Sequence, residues 1–386
     1  MEPFLVSLIL LLLLPLHGSS SPPCNFPAIF NFGDSNSDTG AHSSAFGPAL
    51  PPNGETFSVQ PAGRYSDGRL LIDLLAESLG LPYLSAYLDS VGTNFSHGAN
   101  FAALSSTIND QNETFSRGGY SPFTLGVQLQ EFTQFKYRSQ LYFLGGVFME
   151  LMPKEEYFSR ALYTIDIGQN DLTQGYSAKK PAEEFIPDTI GLLTTAIKSI
   201  YDEGGRHFWI HNTGPLGCLS YTLAATRPVP SEFDSVGCAV RFNELAQQFN
   251  RMLNETVAKL REDLPLATFA YVDVYSVKYL LVSQAEKYGF EHTFTACCGY
   301  GGGAYNYDGS KRCGFRTEIN GTEVLMTKPC EDPSKRILWD GIHYSEAANR
   351  WIFDRISNGE FSYPPTSPIS ACHGGKMVVT EKGKDR

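Results

Sequence analysis

The 386-residue chain contains no cluster of Lys and Arg, no C-x-x-C cysteine pair and, beyond its first 20 residues, no apolar run of membrane-spanning length. Acidic residues outnumber basic ones by 41 to 30, which gives a formal net charge of −11. A chain of this charge with no basic patch is not expected to bind nucleic acid. Without the usual ligand spacing we expect no metal site, and without a long apolar run in the rest of the chain we expect no transmembrane anchor.

One apolar run opens the chain, from Phe4 to about Leu16, and small residues follow it at positions 18–21. This length and ending predict a cleaved signal peptide over residues 1–20, although Glu2 stands where a basic residue is usual. The alternative interpretation is a buried core helix. Residues 21–386 contain no repeat, low-complexity tract or long linker, so we predict that they form a single domain.

The cysteines and the glycosylation sequons agree with a secreted chain. All eight cysteines lie after residue 20, and an even number in such a chain favours disulfides over the alternative of a zinc site. Cys218 and Cys238 would close a short local loop, and the other pairings stay open. We expect the protein in the extracellular space or cell wall, with the vacuole as an alternative. The sequons, which predict surface glycosylation, begin at Asn94, Asn112, Asn254 and Asn320.

Strand-like and helical segments alternate along the mature chain. Strand-like runs cover residues 27–32, 99–103, 161–168, 207–212 and 267–277, and helical patterns cover residues 69–80, 188–201, 241–260 and 345–356. This alternation predicts a three-layer α/β domain whose parallel sheet has helices on both faces. Residues 297–330 are rich in Gly, Tyr and charge without clear periodicity, so we predict a loop excursion there, which disulfides could tie down.

The first strand-like run leads into Gly33-Asp34-Ser35. Ser35 would then lie at the carboxyl end of the first strand, where parallel sheets build their sites, with its N–H at a helix N-terminus. A nucleophilic hydroxyl fits this position, and a cap of the following helix is the alternative. Asp34 and Asp38 could suggest the carboxylate pair of a glycosidase, but local turn and cap bonds explain both residues as well.

Two later segments carry groups that a nucleophilic serine needs. Asp340 and His343 are three residues apart, so a single turn can set the carboxylate against an imidazole that would serve as base. Asn170 follows the strand-like run at 161–168, and its amide could donate to an oxyanion. A turn or helix cap is the alternative for this segment, and it is the interpretation that we favour for Asp171.

These three segments, in this order, resemble the SGNH or GDSL esterase/lipase family. The likeness extends over nearly the whole mature chain, through GRYSDGRLLIDLLAE, ANFA, FWIHNTGPLGC, the CCGYGG region and WDGIHYSEAAN. The sequences of these segments most resemble the plant secreted, early-nodulin-like branch of the family. The resemblance implies a flavodoxin-like sheet, no metal or organic cofactor, and ester hydrolysis through an acyl-enzyme. Carried over by position, it implies Ser35 as nucleophile, His343 as base and Asp340 as its orienting partner. It also implies the Ser35 N–H and Asn170 as oxyanion donors.

One position departs from the family pattern. Where the family usually has a glycine whose N–H completes the oxyanion hole, this chain has Ser105. The N–H remains, but the side chain could crowd the acyl group or disfavour the glycine's backbone angles. Our leading hypothesis is a secreted serine esterase that acts on a small-molecule, lipid or polysaccharide-linked ester. The alternatives are an acyltransferase with the same acyl-enzyme and a non-catalytic binding or defence glycoprotein, and the oligomeric state stays open.

Overall fold

A computed structural model describes residues 23–57, 63–111 and 121–373. Its strands are β1 (Ile29–Gly33), β2 (Gly98–Asn100), β3 (Leu162–Asp166), β4 (His207–His211), β5 (Thr268–Val272), β6 (Arg316–Ile319), β7 (Thr322–Leu325) and β8 (Ser362–Tyr363). Six of them form one sheet in the order β2-β1-β3-β4-β5-β8. The first five run parallel and only the short edge strand β8 is antiparallel, so the predicted parallel sheet is confirmed apart from that edge.

Helices cover both faces of this sheet. They are α1 (Ala41–Phe46), α2 (Leu71–Ser78), α3 (Leu125–Leu144), α4 (Glu155–Arg160), α5 (Gln169–Ser177), α6 (Ala182–Asp202), α7 (Ser220–Thr226), α8 (Val240–Asp263), α9 (Val274–Ser283) and α10 (Glu346–Ile356). Helix α6 packs against α3 and α8, whereas α10 packs against α2 and α9. Because β1 is buried along its whole length, the two helix groups must lie on opposite faces. The structure is the expected three-layer α/β fold.

The local reasons for two predicted helices are visible in the structure. In α2 the buried residues Leu71, Leu74 and Leu75 recur at helical spacing, and Gly80 follows the helix with a φ of +68° that glycine adopts without strain. At the start of α10 the Ser345 hydroxyl accepts a hydrogen bond from the Ala348 N–H at 3.1 Å. This bond satisfies a donor that the first helical turn leaves free.

Three sequence predictions need correction. The strand-like run at 267–277 divides at Asp273, whose carboxylate accepts from the Ser276 N–H at 3.0 Å and starts α9. Helix α6 begins at Ala182, six residues before the predicted start, and includes Pro187 within its length. Helix α3 was not predicted from the sequence, because its buried side contains Gln128 as well as apolar residues and so has weak apolar periodicity.

All eight cysteines form disulfides, as expected, and Cys218–Cys238 is the predicted local pair. The excursion at 297–330 is not a plain loop, because β6 and β7 pair as an antiparallel hairpin within it. Within the described ranges, only Cys24, Cys372 and His373 lie close enough together to share a metal, and the two cysteines are bonded to each other. The remaining disulfides are Cys24–Cys372, Cys297–Cys330 and Cys298–Cys313.

Other predictions concern the ends and the surface of the chain. Residues 1–20 and Asn112 lie outside the described residues, so the signal peptide and that sequon stay predictions. Asn94 and Asn320 are exposed, whereas Asn254 on α8 is half-buried and its Oδ1 has no hydrogen-bond partner among the residues described. None of the helices in the described part of the chain is both long and apolar enough to span a bilayer.

Candidate active site

The turn after β1 is clamped from the side by α3. The Gln128 amide accepts from the Gly33 N–H at 2.9 Å and donates to the Gly33 carbonyl at 2.8 Å. A Cβ on Gly33 would lie 2.2 Å from the Asp166 carbonyl oxygen, so only glycine fits between β1 and β3 here. The clamp and this close packing hold Ser35, two residues later, in one place.

Ser35 is 3% exposed, yet it uses none of its polar groups. Neither its hydroxyl nor its N–H forms a hydrogen bond with any residue that the structure describes. The helix-cap alternative for Ser35 is wrong, because Asp38 caps α1 by accepting from the N–H groups of Gly40 and Ala41 at 2.8 and 2.7 Å. Polar groups that lack a protein partner in so buried a residue are retained at sites where a ligand supplies the partner.

The Ser105 loop lies directly against this turn. The Ala103 N–H donates to the Gly33 carbonyl at 3.2 Å, and the Leu104 N–H donates to the Asp38 carboxylate at 2.8 Å. Ser105 itself has a φ of +61°, the left-handed region that glycine prefers. Its N–H, like that of Ser35, has no acceptor among the described residues.

Asn170 joins both segments from the first turn of α5. Its Nδ2 donates to the Ser106 carbonyl at 2.9 Å and lies 3.5 Å from Oδ2 of Asp34. One Nδ2 hydrogen of Asn170 is therefore firmly bound to the Ser106 carbonyl. The other makes only the long contact with Asp34 and is available to a better acceptor. The favoured interpretation of Asp171 as a turn or cap residue is wrong. Its carboxylate accepts from the Ile108 N–H and the Asn109 side chain, at 2.9 and 2.8 Å, and so anchors the Ser105 loop.

Asp340 and His343 meet within one turn, as their spacing predicted. Oδ2 of Asp340 lies 2.6 Å from Nδ1 of His343, and Oδ1 accepts from the N–H groups of Ile342 and His343 at 2.9 and 2.8 Å. Burial opposes ionisation of Asp340, but the charge of His343 and these hydrogen bonds hold its pKa below the usual value. Nε2 of His343 is buried and has no partner among the described residues, including Ser35.

Asp34 connects the electrostatics of these groups. Burial, reinforced by the charge of Asp166, raises the pKa of Asp34 to about 7, and the charge of His343 acts on it in the opposite direction. His343 and Asn170 therefore both lie near Asp34, beside Ser35. Asp34 accepts locally from Asn36, and Asp38 is engaged with α1, so the two carboxylates are held by turn and cap bonds as predicted.

Residues 29–356 match the family described as GDSL-like Lipase/Acylhydrolase. The chain belongs to this family. Its enzyme class is therefore that of the carboxylic ester hydrolases. The GDSL relatives include a Zea mays protein named GDSL esterase/lipase ACHE, 54% identical over 93% of this chain and 92% of its own length. A Medicago truncatula protein named GDSL esterase/lipase ENOD8 is 47% identical, over 96% and 95% of the two chains. An Arabidopsis thaliana protein named Alpha-L-fucosidase 3 is 52% identical, over 93% and 98%.

Several residues that shape this GDSL site were not found from the sequence. Gln128 clamps the serine turn, and the Ser106 carbonyl fixes the Asn170 amide. The Tyr65 ring lies 5.9 Å from the His343 ring, between centroids, and its hydroxyl is 2.9 Å from Nδ1 of His42. The GRYSDGR segment that contains Tyr65 was part of the family resemblance, but no local pattern in the sequence links it to a histidine 278 positions later.

Proposed function

We propose that this chain hydrolyses carboxylic esters through an acyl-enzyme on Ser35. The observation that carries the proposal is the set of unused groups that converge beside Asp34. These are the Ser35 hydroxyl, the N–H groups of Ser35 and Ser105, and Nε2 of His343. A nucleophile, two oxyanion donors and a base without partners are what the tetrahedral intermediate of acyl transfer requires.

Acylation follows from these positions. Asp340 accepts a hydrogen bond from the Nδ1–H of His343, which leaves the lone pair of Nε2 facing the site. As the Ser35 oxygen bonds to the ester carbonyl carbon, Nε2 takes the hydroxyl proton and Asp340 stabilises the resulting imidazolium. The carbonyl oxygen becomes the oxyanion, which accepts from the Ser35 and Ser105 N–H groups and from the second Nδ2 hydrogen of Asn170. When the C–O bond to the alcohol breaks, His343 returns the proton to the leaving oxygen.

Deacylation repeats these steps with water. His343 takes a proton from the attacking water, and the acyl carbon passes through a second oxyanion before Ser35 leaves with its proton restored. An alcohol in place of water would make the chain an acyltransferase with the same residues. Product analysis in water with an added alcohol measures this partition, and we expect the free acid to be the main product.

The test of the nucleophile is labelling with a fluorophosphonate probe. We expect the wild-type protein to be labelled at Ser35, located by peptide mass spectrometry, and the Ser35→Ala variant to be neither labelled nor active on esters. Ser37→Ala is the matched control, because Ser37 is a buried serine of the same turn whose hydroxyl already accepts from the Asn31 amide at 3.0 Å. Ester turnover that persists in Ser35→Ala, or a folded wild-type protein that resists labelling, would refute the assignment.

The substrate is proposed as a small-molecule, lipid or polysaccharide-linked ester. A panel of esters that varies the acyl length and the alcohol, with Ser35→Ala as the blank, measures this preference. An aryl α-L-fucoside belongs in the panel because one relative carries the fucosidase name. We expect no turnover of it, since hydrogen bonds within the site already engage Asp34 and Asp38.

We also propose that the protein is secreted and glycosylated. Four disulfides suit an oxidising compartment, and the apolar run at 4–16 has the length of a signal peptide. Expression in a eukaryotic secretory host should yield protein in the medium with an N-terminus near residue 21. Glycopeptide analysis should find a higher glycan occupancy at Asn94 and Asn320, which are exposed, than at Asn254, which is half-buried.

A further inference from the structure

A lysine is buried behind the serine turn. Lys278 on α9 is 3% exposed, and its ammonium lies 4.6 Å from the centre of the Tyr344 ring, next to His343 in sequence. A Cβ on Gly214 would lie 2.9 Å from the lysine Cδ, so the absence of a side chain at Gly214 makes room for Lys278. A buried ammonium is costly, and it is retained where nearby negative charge compensates it.

Two carboxylates supply that negative charge. Asp166 is the last residue of β3, and Asp34 follows β1; the Asp34 N–H donates to the Asp166 carbonyl at 3.1 Å. Both carboxylates attract Lys278, although neither forms an ion pair with it within 4.0 Å in the described structure. Burial holds the pKa of Lys278 below its usual value, and these two negative charges oppose that shift. The cation is thus a shared counter-charge rather than one half of a salt bridge.

The remaining neighbour in this cluster is His211, the last residue of β4. Its Nε2 accepts from the Trp209 indole N–H at 3.0 Å, so its ring proton lies on Nδ1, 3.4 Å from Oδ2 of Asp166. His211 thus meets Asp166 through a long Nδ1–Oδ2 contact, whereas the charge of Lys278 acts on Asp34 as well as on Asp166.

We propose that Lys278 is a positioning residue for the ester hydrolysis, because its buried charge lets the site accept a new oxyanion beside Asp34 and Asp166. This inference rests on the proposed function. Asp34 touches Asn170, the proposed oxyanion donor, and without a compensating cation its charge would compete with the oxyanion for that amide and repel it. Lys278 touches none of the reacting atoms and acts through Asp34 and Asp166.

The test compares Lys278→Met, Asp166→Asn and the double variant, which restores the charge balance. For Lys278→Met we expect kcat/KM to fall about tenfold, which corresponds to a barrier about 1.4 kcal/mol higher, because an electrostatic attraction to the developing oxyanion is lost. KM for a neutral ester should stay within about threefold of wild type. Inhibition by a trifluoromethyl ketone, whose hemiketal carries the oxyanion charge, should weaken in parallel with kcat. Lys198→Met is the control, since Lys198 forms only an exposed ion pair with Asp263.

The pH profile separates this role from simple packing. Loss of the cation should move the acid limb of the kcat/KM profile to higher pH, because removing a positive charge raises the pKa of the titratable groups near Asp34. Asp166→Asn should move the limb to lower pH, and the double variant should return it to the wild-type position. Thermal unfolding of each variant establishes that it is folded, and if Lys278→Met fails to fold, the other two variants still measure the charge effect.

Two results would overturn the inference without touching the proposed function. One is a folded Lys278→Met that labels with fluorophosphonate at the wild-type rate and keeps the wild-type acid limb. The other is a shift of the acid limb in the same direction in Lys278→Met and Asp166→Asn. A wild-type protein that is not labelled at Ser35 would instead overturn the proposed function itself.

Discussion

Replacement of Ser105 by glycine tests how the proposed oxyanion hole tolerates a serine where the family usually has glycine. Ser105 has a φ of +61°, where a residue with a Cβ carries about 1 kcal/mol of strain that glycine does not. Glycine also loses more chain entropy on folding, at a cost of about 0.5 to 1 kcal/mol. These two effects nearly cancel, so we expect Ser105→Gly to shift Tm by less than about 3 °C in a chain of this size.

The hydrolytic activity of Ser105→Gly should equal or exceed that of the wild type, because the backbone N–H of residue 105 stays in place. The loop is anchored on both sides of Ser105, since the Leu104 N–H donates to Asp38 at 2.8 Å and the Ser106 hydroxyl donates to the Phe123 carbonyl at 2.6 Å. Loss of a donor would cost about 3 kcal/mol, or about 100-fold in kcat, and we do not expect that loss. If the side chain crowds the acyl group, kcat/KM should rise by up to about fivefold, and most for long acyl chains, as about 1 kcal/mol of contact strain implies.

The assay is steady-state hydrolysis of nitrophenyl esters of increasing acyl length, with thermal unfolding measured in parallel. Ser105→Ala is the matched control, because it removes the hydroxyl but keeps the Cβ and its backbone strain. Tenfold loss in both variants would mean that the hydroxyl contributes directly. Tenfold loss in Ser105→Gly alone would mean that the anchors on either side do not hold a glycine loop, which would refute the reasoning.

Three further predictions follow from buried groups. Asp340→Asn should lower kcat by about 10³-fold or more at unchanged Tm, since the amide cannot stabilise the imidazolium; steady-state kinetics that show less than tenfold loss would contradict its role. Gly98→Ala should destabilise the fold by more than about 2 kcal/mol in urea unfolding, because a Cβ would lie 1.8 Å from the backbone of β1, and unchanged stability would disprove that contact. Burial raises the pKa of Glu131 to about 7, above its unfolded value, so its contribution to stability is present below about pH 4.5 and is lost as pH rises through 7. Glu131→Gln should therefore match the wild-type free energy of unfolding near pH 4 and exceed it at pH 8 by about 1 to 2 kcal/mol after solvent screening, measured by urea unfolding; equal stability at pH 8 would count against this burial.

The parts of the fold that the sequence predicted well are those set by local spacing. Helices α2, α8 and α10 each place a continuous apolar stripe on one side, and their predicted positions agree with the structure to within a few residues. The Asp340 and His343 contact is also local, since the two residues share one turn. Helix α3 was missed because its buried side carries Gln128, a residue placed there to clamp a strand 95 positions away.

The roles of individual polar residues depended on partners that lie far away in sequence. Asp171 looked like a cap of its own helix but binds Ile108 and Asn109 instead, 63 and 62 positions earlier. Ser35 looked equally able to cap α1, until the structure showed Asp38 in that place. Short-range preferences are similar for a cap and for a long-range anchor, so the sequence could not separate them.

By itself, the sequence determined the α/β alternation, the family, the order of Ser35, Asn170 and His343 along the chain, and the eight cysteines available for disulfides. Only the tertiary structure decided that the groups of the proposed site converge with their donors unused, that Ser105 takes a glycine-like backbone angle, and that Lys278 lies behind the serine turn. The physical reason is the distance along the chain over which each interaction acts. Periodicity and capping act over a few residues, whereas burial, orphaned hydrogen bonds and electrostatic compensation exist only after strands distant in sequence are packed side by side.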